Sequence, residues 1–425
     1  MSIVRPNRRE LLAYGAASAG ALALPRRARA SVSPADRRFL FVFCEGGWDP
    51  TKVWLPTFDF PDIEDEEGAV PGQAGDLPFT YHPSRGSVER FLLLHGDRTA
   101  FFNGFEVRSI AHERCRQLLF TGAPDPGLDG WPALLAGQAR DDLLLPCLVA
   151  SGPTFTNRFT SSVVRLGETG QLSRILDGSA LAGATQPVEA PPTDVARLLD
   201  RHAAERAAAW AASAPDDWTA TLAARQQDAL DSLATLDALS DDLDLSVDPS
   251  RNFLTRLQPI LDALEVGLTR TGVILHLGVN ETGWDTHAVN DRHQSEHQSL
   301  LFGDLLLLMD ALDERVGPAT GGRLSDEVTV VVMSEMGRAP WKNAYDGKDH
   351  WTWTSAMLLG GGIQGNRVIG GVDGALVGLP VDLHTGAPSA GGTRLTSAHL
   401  GASLLALGDV DPEEWIPGVP AIPLA

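Results

Sequence analysis

Carboxylates and imidazoles recur in four short polar segments of the chain. These are EGGWD with Asp49, VNETGWDTH with Asp285 and His287, SEMGRAPWKN with Glu335, and GKDHW with Asp349 and His350. Oxygen and nitrogen donors without a thiolate partner suit a borderline or hard divalent cation, Zn²⁺ or Mn²⁺ first among them. Cys44, Cys115 and Cys147 form no CxxC pair, so neither a thiolate zinc site nor a disulfide framework is open to them. No single segment is specific, because a lone Asp-x-His usually forms a hydrogen-bonded turn. Their joint position carries the expectation, since the apolar runs of the chain empty into them.

Those runs are 38–44 (RFLFVFC), 272–278 (GVILHLG) and 327–333 (EVTVVVM). Short, continuous and rich in Phe, Val and Ile, they read as strands buried on both faces. Leu257, Leu261, Leu264 and Leu268 make one helical stripe before the second run, and Leu300, Leu301, Leu305, Leu308 and Leu312 make another before the third. Alternating helix and buried strand predicts an α/β sheet, whose loops at the carboxyl edge bind ligands. Residues 192–246 differ, being Ala/Asp/Leu-rich and nearly free of Gly. They predict a helical hairpin inserted as a packed structural element, with Thr193 or Asp194 capping the first helix, Pro215 breaking it, and Asp216 or Asp217 capping the second.

The chain has 425 residues, 43% of them hydrophobic, enough for one large core. Its formal charge of -21 becomes -26 once residues 1–30, with six Arg and one Glu, are set aside. A surface so acidic repels nucleic acid and anionic membranes. The leader pairs Arg8 and Arg9 with a weakly apolar Ala/Gly stretch and an Ala28-Arg29-Ala30 cleavage pattern, the order of a twin-arginine export signal cut after Ala30. The expectation is an exported protein, periplasmic or extracellular, handled by the twin-arginine machinery. No later stretch is apolar enough to span a bilayer.

FVFCEGGWDPT, GWDTH, VVVMSEMGR, KDHW and LGGGIQGNRVIGG, in that order over most of residues 38–410, resemble the exported proteins containing domain of unknown function 1501, relatives of the alkaline phosphatase and sulfatase superfamily. The resemblance implies a three-layer α/β/α domain over residues 31–425, a mostly parallel sheet, and a one- or two-metal site at its carboxyl edge. It implies that Asp49, Asp285 and His287 are metal ligands. Glu335 and Met336 stand where the superfamily has Asp and His, so Glu335 and Asp349 join the expected metal ligands and His350 supplies the missing imidazole. In HERCRQLLFTG, setting Thr121-Gly122 in register puts Arg116 on the family's arginine and His112 on its nucleophile, with Ser109 and Cys115 less well placed. His112 would attack phosphorus, bind a metal, or orient a water as general base. A helix N-terminus and Arg116 favour an anionic group there. Arg338 or Asn343 would hold the transferred group.

The reading that follows is metal-dependent hydrolysis of a phosphate or sulfate ester, either a small anionic ester or a sulfated or phosphorylated glycan. Two others stand beside it. The absent hydroxyl nucleophile and Asp-His pair fit a degenerate exported protein that serves binding or assembly. His293-Gln-Ser-Glu-His297 fits the inverted zincin pattern H-x-x-E-H of a zinc peptidase. His399 reads as a helix-start residue, and Trp48, Trp284, Trp351 and Trp353 flank the polar clusters, as core or as pocket wall.

Overall fold

A computed structural model describes residues 32–139, 143–167, 191–238 and 252–425, together with Leu172 and Leu245. The segment expected to be a twin-arginine leader, with its expected cleavage point, lies outside the described residues, as does most of the end of the expected helical hairpin.

The architecture follows from the first strand, β1 (Arg38–Phe43), in which every residue is buried. Leu40 and Val42 enter one apolar cluster, while Phe39, Phe41 and Phe43 enter a second. Side chains alternate across a strand, so a run apolar on both faces must be covered on both sides. The hairpin β2 (Val70–Ala74) and β3 (Leu77–Tyr81) follows, then β4 (Thr99–Glu106), β5 (Cys147–Val149), β6 (Val163–Arg165), β7 (Thr271–Leu275) and β8 (Val328–Met333). Two short strands, β9 (Gly337–Arg338) and β10 (His350–Trp351), precede β11 (Trp353–Gly360) and β12 (Arg367–Gly370), and β13 (Pro380–Val381) pairs with β14 (Thr393–Arg394). Among the described residues the central sheet has eight strands in the order β12-β4-β11-β8-β1-β7-β5-β6. Within it β11 alone runs antiparallel to its neighbours.

Helices cover both faces, giving three α/β/α layers. In chain order they are α1 (Gly86–His95), α2 (His112–Thr121), α3 (Trp131–Gly137), α4 (Thr193–Ala212), α5 (Asp217–Ala238), α6 (Phe253–Glu265), α7 (Asn290–Glu314), α8 (Ser397–Leu407) and α9 (Pro412–Trp415). Phe91 of α1, Leu257, Leu261 and Leu264 of α6, and Leu301, Leu305, Leu308 and Leu312 of α7 pack on the Leu40 side. Leu119 of α2, Trp131 and Leu135 of α3, and Leu400 and Leu404 of α8 pack on the Phe39 side. The leucine stripes are therefore core-facing, except that Leu300 is exposed. It lies beside the stripe, one position too early on the helical wheel.

The Ala/Asp/Leu-rich stretch forms α4 and α5, which pack on each other with Ala207 and Ala223 buried. Asp216 caps α5 by accepting from Thr219 N at 2.7 Å. Neither Thr193 nor Asp194 caps α4, because Pro192 occupies the cap position and Asp194 lies in the first turn. Among the described residues no helix is long and apolar enough to cross a membrane.

Register decides what the sheet can position. Phe43 pairs with Leu275 on one side and with Met333 on the other, so β7, β1 and β8 end level. Their polar loops leave from one rim. β4 ends there too, since Glu106 pairs with Trp353 at the start of β11.

One close approach tests the layer that includes α2. A Cβ on Gly401 of α8 would fall 2.1 Å from Trp131 Cζ2, whose indole Nε1 donates to Leu119 O at 2.8 Å. Gly401→Ala should cost about 1–3 kcal/mol by overpacking. A lower denaturant midpoint at unchanged slope is the expected result; an unshifted midpoint would mean that α8 and α3 are not locked together.

Candidate metal centre

The loops at this rim meet closely because glycines let them. Gly46 has φ +124°, and a Cβ there would lie 2.5 Å from Asp285 N. A Cβ on Gly347 would fall 1.9 Å from His287 O. The fully buried Arg338 guanidinium fills the junction. Its Nε donates to Gly47 O at 2.8 Å and its Nη1 to Lys348 O at 3.1 Å. Its Nη2 donates to Gly46 O, to Trp284 O at 3.2 Å and to Asp285 Oδ1 at 2.6 Å.

Three imidazoles surround that Asp285 carboxylate. His350 Nε2 and His287 Nε2 each lie 3.1 Å from Oδ1, and 2.9 Å from one another. His112 Nε2 lies 3.4 Å from Oδ2. Each ring spends its other nitrogen on an acceptor. His350 Nδ1 donates to Ile110 O at 2.7 Å, His287 Nδ1 to Asp349 Oδ1 at 3.1 Å, and His112 Nδ1 to Glu335 Oε1 at 2.9 Å. A proton fixed on Nδ1 leaves the Nε2 lone pair free, the arrangement that second-sphere acceptors impose on metal-binding histidines.

The donor set fits a divalent cation. Two neutral imidazoles so arranged would face lone pair to lone pair at 2.9 Å, which requires a shared proton or a cation between them. The triangle of His287 Nε2, His350 Nε2 and Asp285 Oδ1 has edges of 2.9, 3.1 and 3.1 Å. Ligand atoms about 2.0–2.1 Å from one ion are separated by roughly 3 Å, the same spacing. His112, Asp285 and His350 each offer a donor atom, all within 4.8 Å of one another. Their side chains and that of His287 are 19–45% exposed, so the centre opens to solvent.

Electrostatics agree with this geometry. Burial alone would raise the Asp285 pKa, but hydrogen bonds from His112, His350 and Arg338 hold it well below the usual carboxylate range. Asp285 and Glu335 in turn push His112 up to about 9, so protons alone would make it an imidazolium. Negative charge at the rim exceeds what neutral imidazoles can balance.

The remaining expected residues take other places. Asp49 is fully buried, and Lys348 Nζ, not an imidazole, lies 3.0 Å from its Oδ2. The same oxygen accepts from Asn290 Nδ2 at 2.8 Å, and Oδ1 accepts from Thr51 Oγ1 at 2.7 Å. Glu335, expected as a ligand, is fully buried and accepts from Gly46 N at 2.9 Å as well as from His112, so it stands behind the imidazole. Asp349 stands behind His287 in the same way. Asn343 is spent on the loop: its Nδ2 donates to His287 O and to Asp349 Oδ1, both at 3.1 Å, and its Oδ1 accepts from Tyr345 N and Gly347 N. Arg338 is fully buried and turned to backbone carbonyls and the Asp285 carboxylate, so it braces the loops instead of facing a transferred group. Arg116 is one turn beyond His112 on α2, where it pairs with Glu45. Both line a cleft of about 560 Å³ shared with Ser151, Thr154 and Arg165.

The H-x-x-E-H pattern does not form a zinc site. His293 is exposed, whereas His297 is buried with its Nδ1 accepting from Val279 N at 2.8 Å and its ring against Trp284. Glu296 pairs with Arg292 in solvent. Trp48 and Trp284 are core residues, and His399 completes a capping box with Thr396 at the start of α8. Sequence reasoning missed Lys348 and the Ile110 carbonyl. The lone Lys between Gly347 and Asp349 was a signal; a backbone acceptor leaves none.

Residues 263–384 match the family model described as "Protein of unknown function (DUF1501)". That span holds Asp285, His287, Glu335, Arg338, Asp349 and His350, but neither Asp49 nor His112. No curated protein matches the chain. Among solved structures, the chain is similar to a protein in the alkaline phosphatase superfamily from Vibrio parahaemolyticus, at 9% identity and TM-score 0.36, over 98% of this chain and 78% of that one. It is similar to a Bacteroides thetaiotaomicron protein of glycosaminoglycan metabolism, at 10% identity and TM-score 0.35, over 88% and 73%. A third, BT4656 solved with its substrate D-glucosamine-2-N,6-O-disulfate, gives 9% identity and TM-score 0.37 over 91% and 79%. The three-layer architecture rests on the strand order itself.

Asp349→Ala should lower the affinity for Zn²⁺ by about 10–100-fold, as loss of a second-sphere carboxylate does, read by titration against a competing chelator. An unchanged affinity would remove His287 from the site. Burial pushes His297 down to about 4 from 6.5, so the native state keeps it neutral while the unfolded chain takes up a proton. Its contribution is complete above pH 6.5 and is lost as pH falls toward 4, by on the order of 3 kcal/mol. His297→Asn, whose Oδ1 can still accept from Val279 N, should flatten the stability profile across that window; identical slopes for both proteins would refute the assignment.

Proposed function

We propose that this chain is a metal-dependent hydrolase of phosphate or sulfate esters, with His112, His287, His350 and Asp285 holding a divalent cation, Zn²⁺ or Mn²⁺. The observation that carries this is the convergence of three Nε2 atoms on one carboxylate while every Nδ1 is bound to an acceptor. Bound there, such a cation supplies Lewis acidity toward an ester oxygen and toward water. Asp285 neutralises charge at the centre, Arg338 fixes its orientation, and Glu335 keeps the Nδ1 proton of His112 in place.

An anionic ester has a place to lie. The cleft beginning one turn from His112 carries Arg165 and the Arg116–Glu45 pair beside Glu113, so its side chains balance in charge, and the N-terminal dipole of α2, which starts at His112, is what favours an anion there. A small sulfated or phosphorylated sugar is the ester placed there, between the charged side chains and an apolar wall of Val149, Phe155 and Leu275. Water is the nucleophile of this reading. Cys115 is buried, with its thiol pushed up to about 11 by burial, and Ser334 is buried and donates to Cys44 O. The ester bond breaks as the water oxygen attacks phosphorus or sulfur, and the leaving oxygen takes up a proton.

A second reading, an exported binding or assembly protein, is favoured by the exposed Leu198, Leu199 and Trp218 on the α4–α5 arm. For either reading we propose export by the twin-arginine route, with residues 1–30 removed.

Metal analysis joined to assays with p-nitrophenyl phosphate and p-nitrophenyl sulfate separates them. Under the hydrolase reading the purified chain carries a divalent ion and turns over one of these esters, and Asp285→Ala or His350→Ala loses both, activity falling by more than about 100-fold. Ion bound without turnover of either ester would favour the binding protein, and a chain that takes up no ion would end the proposal.

A further inference from the structure

Beside the imidazoles lies a second, differently built charge pair. Asp49 and Lys348 have no exposed side-chain surface, and Nζ is 3.0 Å from Oδ2. The carboxylate is otherwise saturated: Oδ1 accepts from Thr51 N at 3.1 Å and Thr51 Oγ1 at 2.7 Å, and Oδ2 accepts from Asn290 Nδ2 at 2.8 Å. Lys348 is held by its own backbone, its N donating to Thr286 O at 3.2 Å and its O accepting from Arg338 Nη1 at 3.1 Å. The ammonium has no hydrogen-bond partner of good geometry among the described residues, so the ion pair with Asp49 is what compensates it.

A buried ammonium is costly unless paired, and removing either member of such a pair strands the other. A divalent ion approaching Asp49 would have to expel Lys348, which has no other ion-pair partner among the described residues, or sit against it with like-charge repulsion. Lys348 also directly precedes Asp349 and His350, so its bond to Asp49 ties the strand bearing that imidazole to the loop after β1.

We infer that the centre holds a single divalent cation, and that the Lys348 ammonium is a fixed second positive charge that neutralises Asp49 and keeps it out of the coordination shell. This rests on the metal reading above. The test is the number of ions per chain, by elemental analysis and native mass spectrometry, after loading the full chain with Zn²⁺ or Mn²⁺ and removing excess. The wild type should hold one ion, and Asp49→Asn should keep it with undiminished affinity. The double variant Asp49→Asn with Lys348→Met removes both charges together and should also stay loaded, which covers the case in which Asp49→Asn alone fails to fold. Two ions per wild-type chain, or loss of the ion in the folded Asp49→Asn or double variant, would overturn the inference while leaving the metal centre intact. No ion in the wild type would remove the centre and this inference with it.

Discussion

The rim of the sheet is organised by one guanidinium. Arg338 binds carbonyls of Gly46 and Gly47 after β1, Trp284 after β7 and Lys348 before β10, and it binds the Asp285 carboxylate. Five N–H groups spread over a rigid planar fork can reach acceptors on separate loops, whereas a lysine has three donors on a single atom. Backbone carbonyls buried at a loop junction need donors. Arg338 supplies them, and the Asp285 carboxylate balances its charge. Every other feature of the centre, the spacing of the imidazoles included, depends on this junction staying closed.

Charge compensation then sorts the acidic residues by role. The Asp49 carboxylate meets a lysine and three other polar groups, Glu335 meets a backbone N–H and an imidazole, and Asp285 meets a guanidinium and three imidazoles. Asp49 is closed to further ligands. Glu335 is buried behind His112. Asp285 is the carboxylate of the three that reaches solvent, and it is the one surrounded by free Nε2 atoms. Burial and partner type together separate the supporting carboxylates from the one that faces the imidazoles.

The three apolar runs, the crossover between β7 and β8, and the gathering of Asp285, His287, Asp349 and His350 at one edge were all legible in the sequence, because period and strand order suffice to place them. The roles of Asp49 and Glu335 were not, because each is decided by a residue far away in the chain: Lys348 in one case, His112 in the other. Arg338 looked like a substrate ligand because its demand for carbonyl acceptors depends on how three loops close. The His293–His297 pattern, a minor alternative, makes no site for a related reason. Helical spacing puts two residues near one another, but at this place the protein surface runs between them, leaving one in solvent and the other in the core.

His350 shows how topology extends the rule that ligands follow parallel strands. Asp49, Asp285 and Glu335 do follow strands that run toward the rim, whereas His350 precedes β11, the strand that runs away from it. A chain leaving the rim must first arrive there, so the segment before an antiparallel strand has the same access as the segment after a parallel one. The short ladder between β9 and β10 makes this arrival exact in register, pairing His350 with Arg338 itself. The antiparallel strand thus brings an imidazole to a cluster whose other members come from parallel connections. A sheet with β11 reversed would put that imidazole at the opposite end.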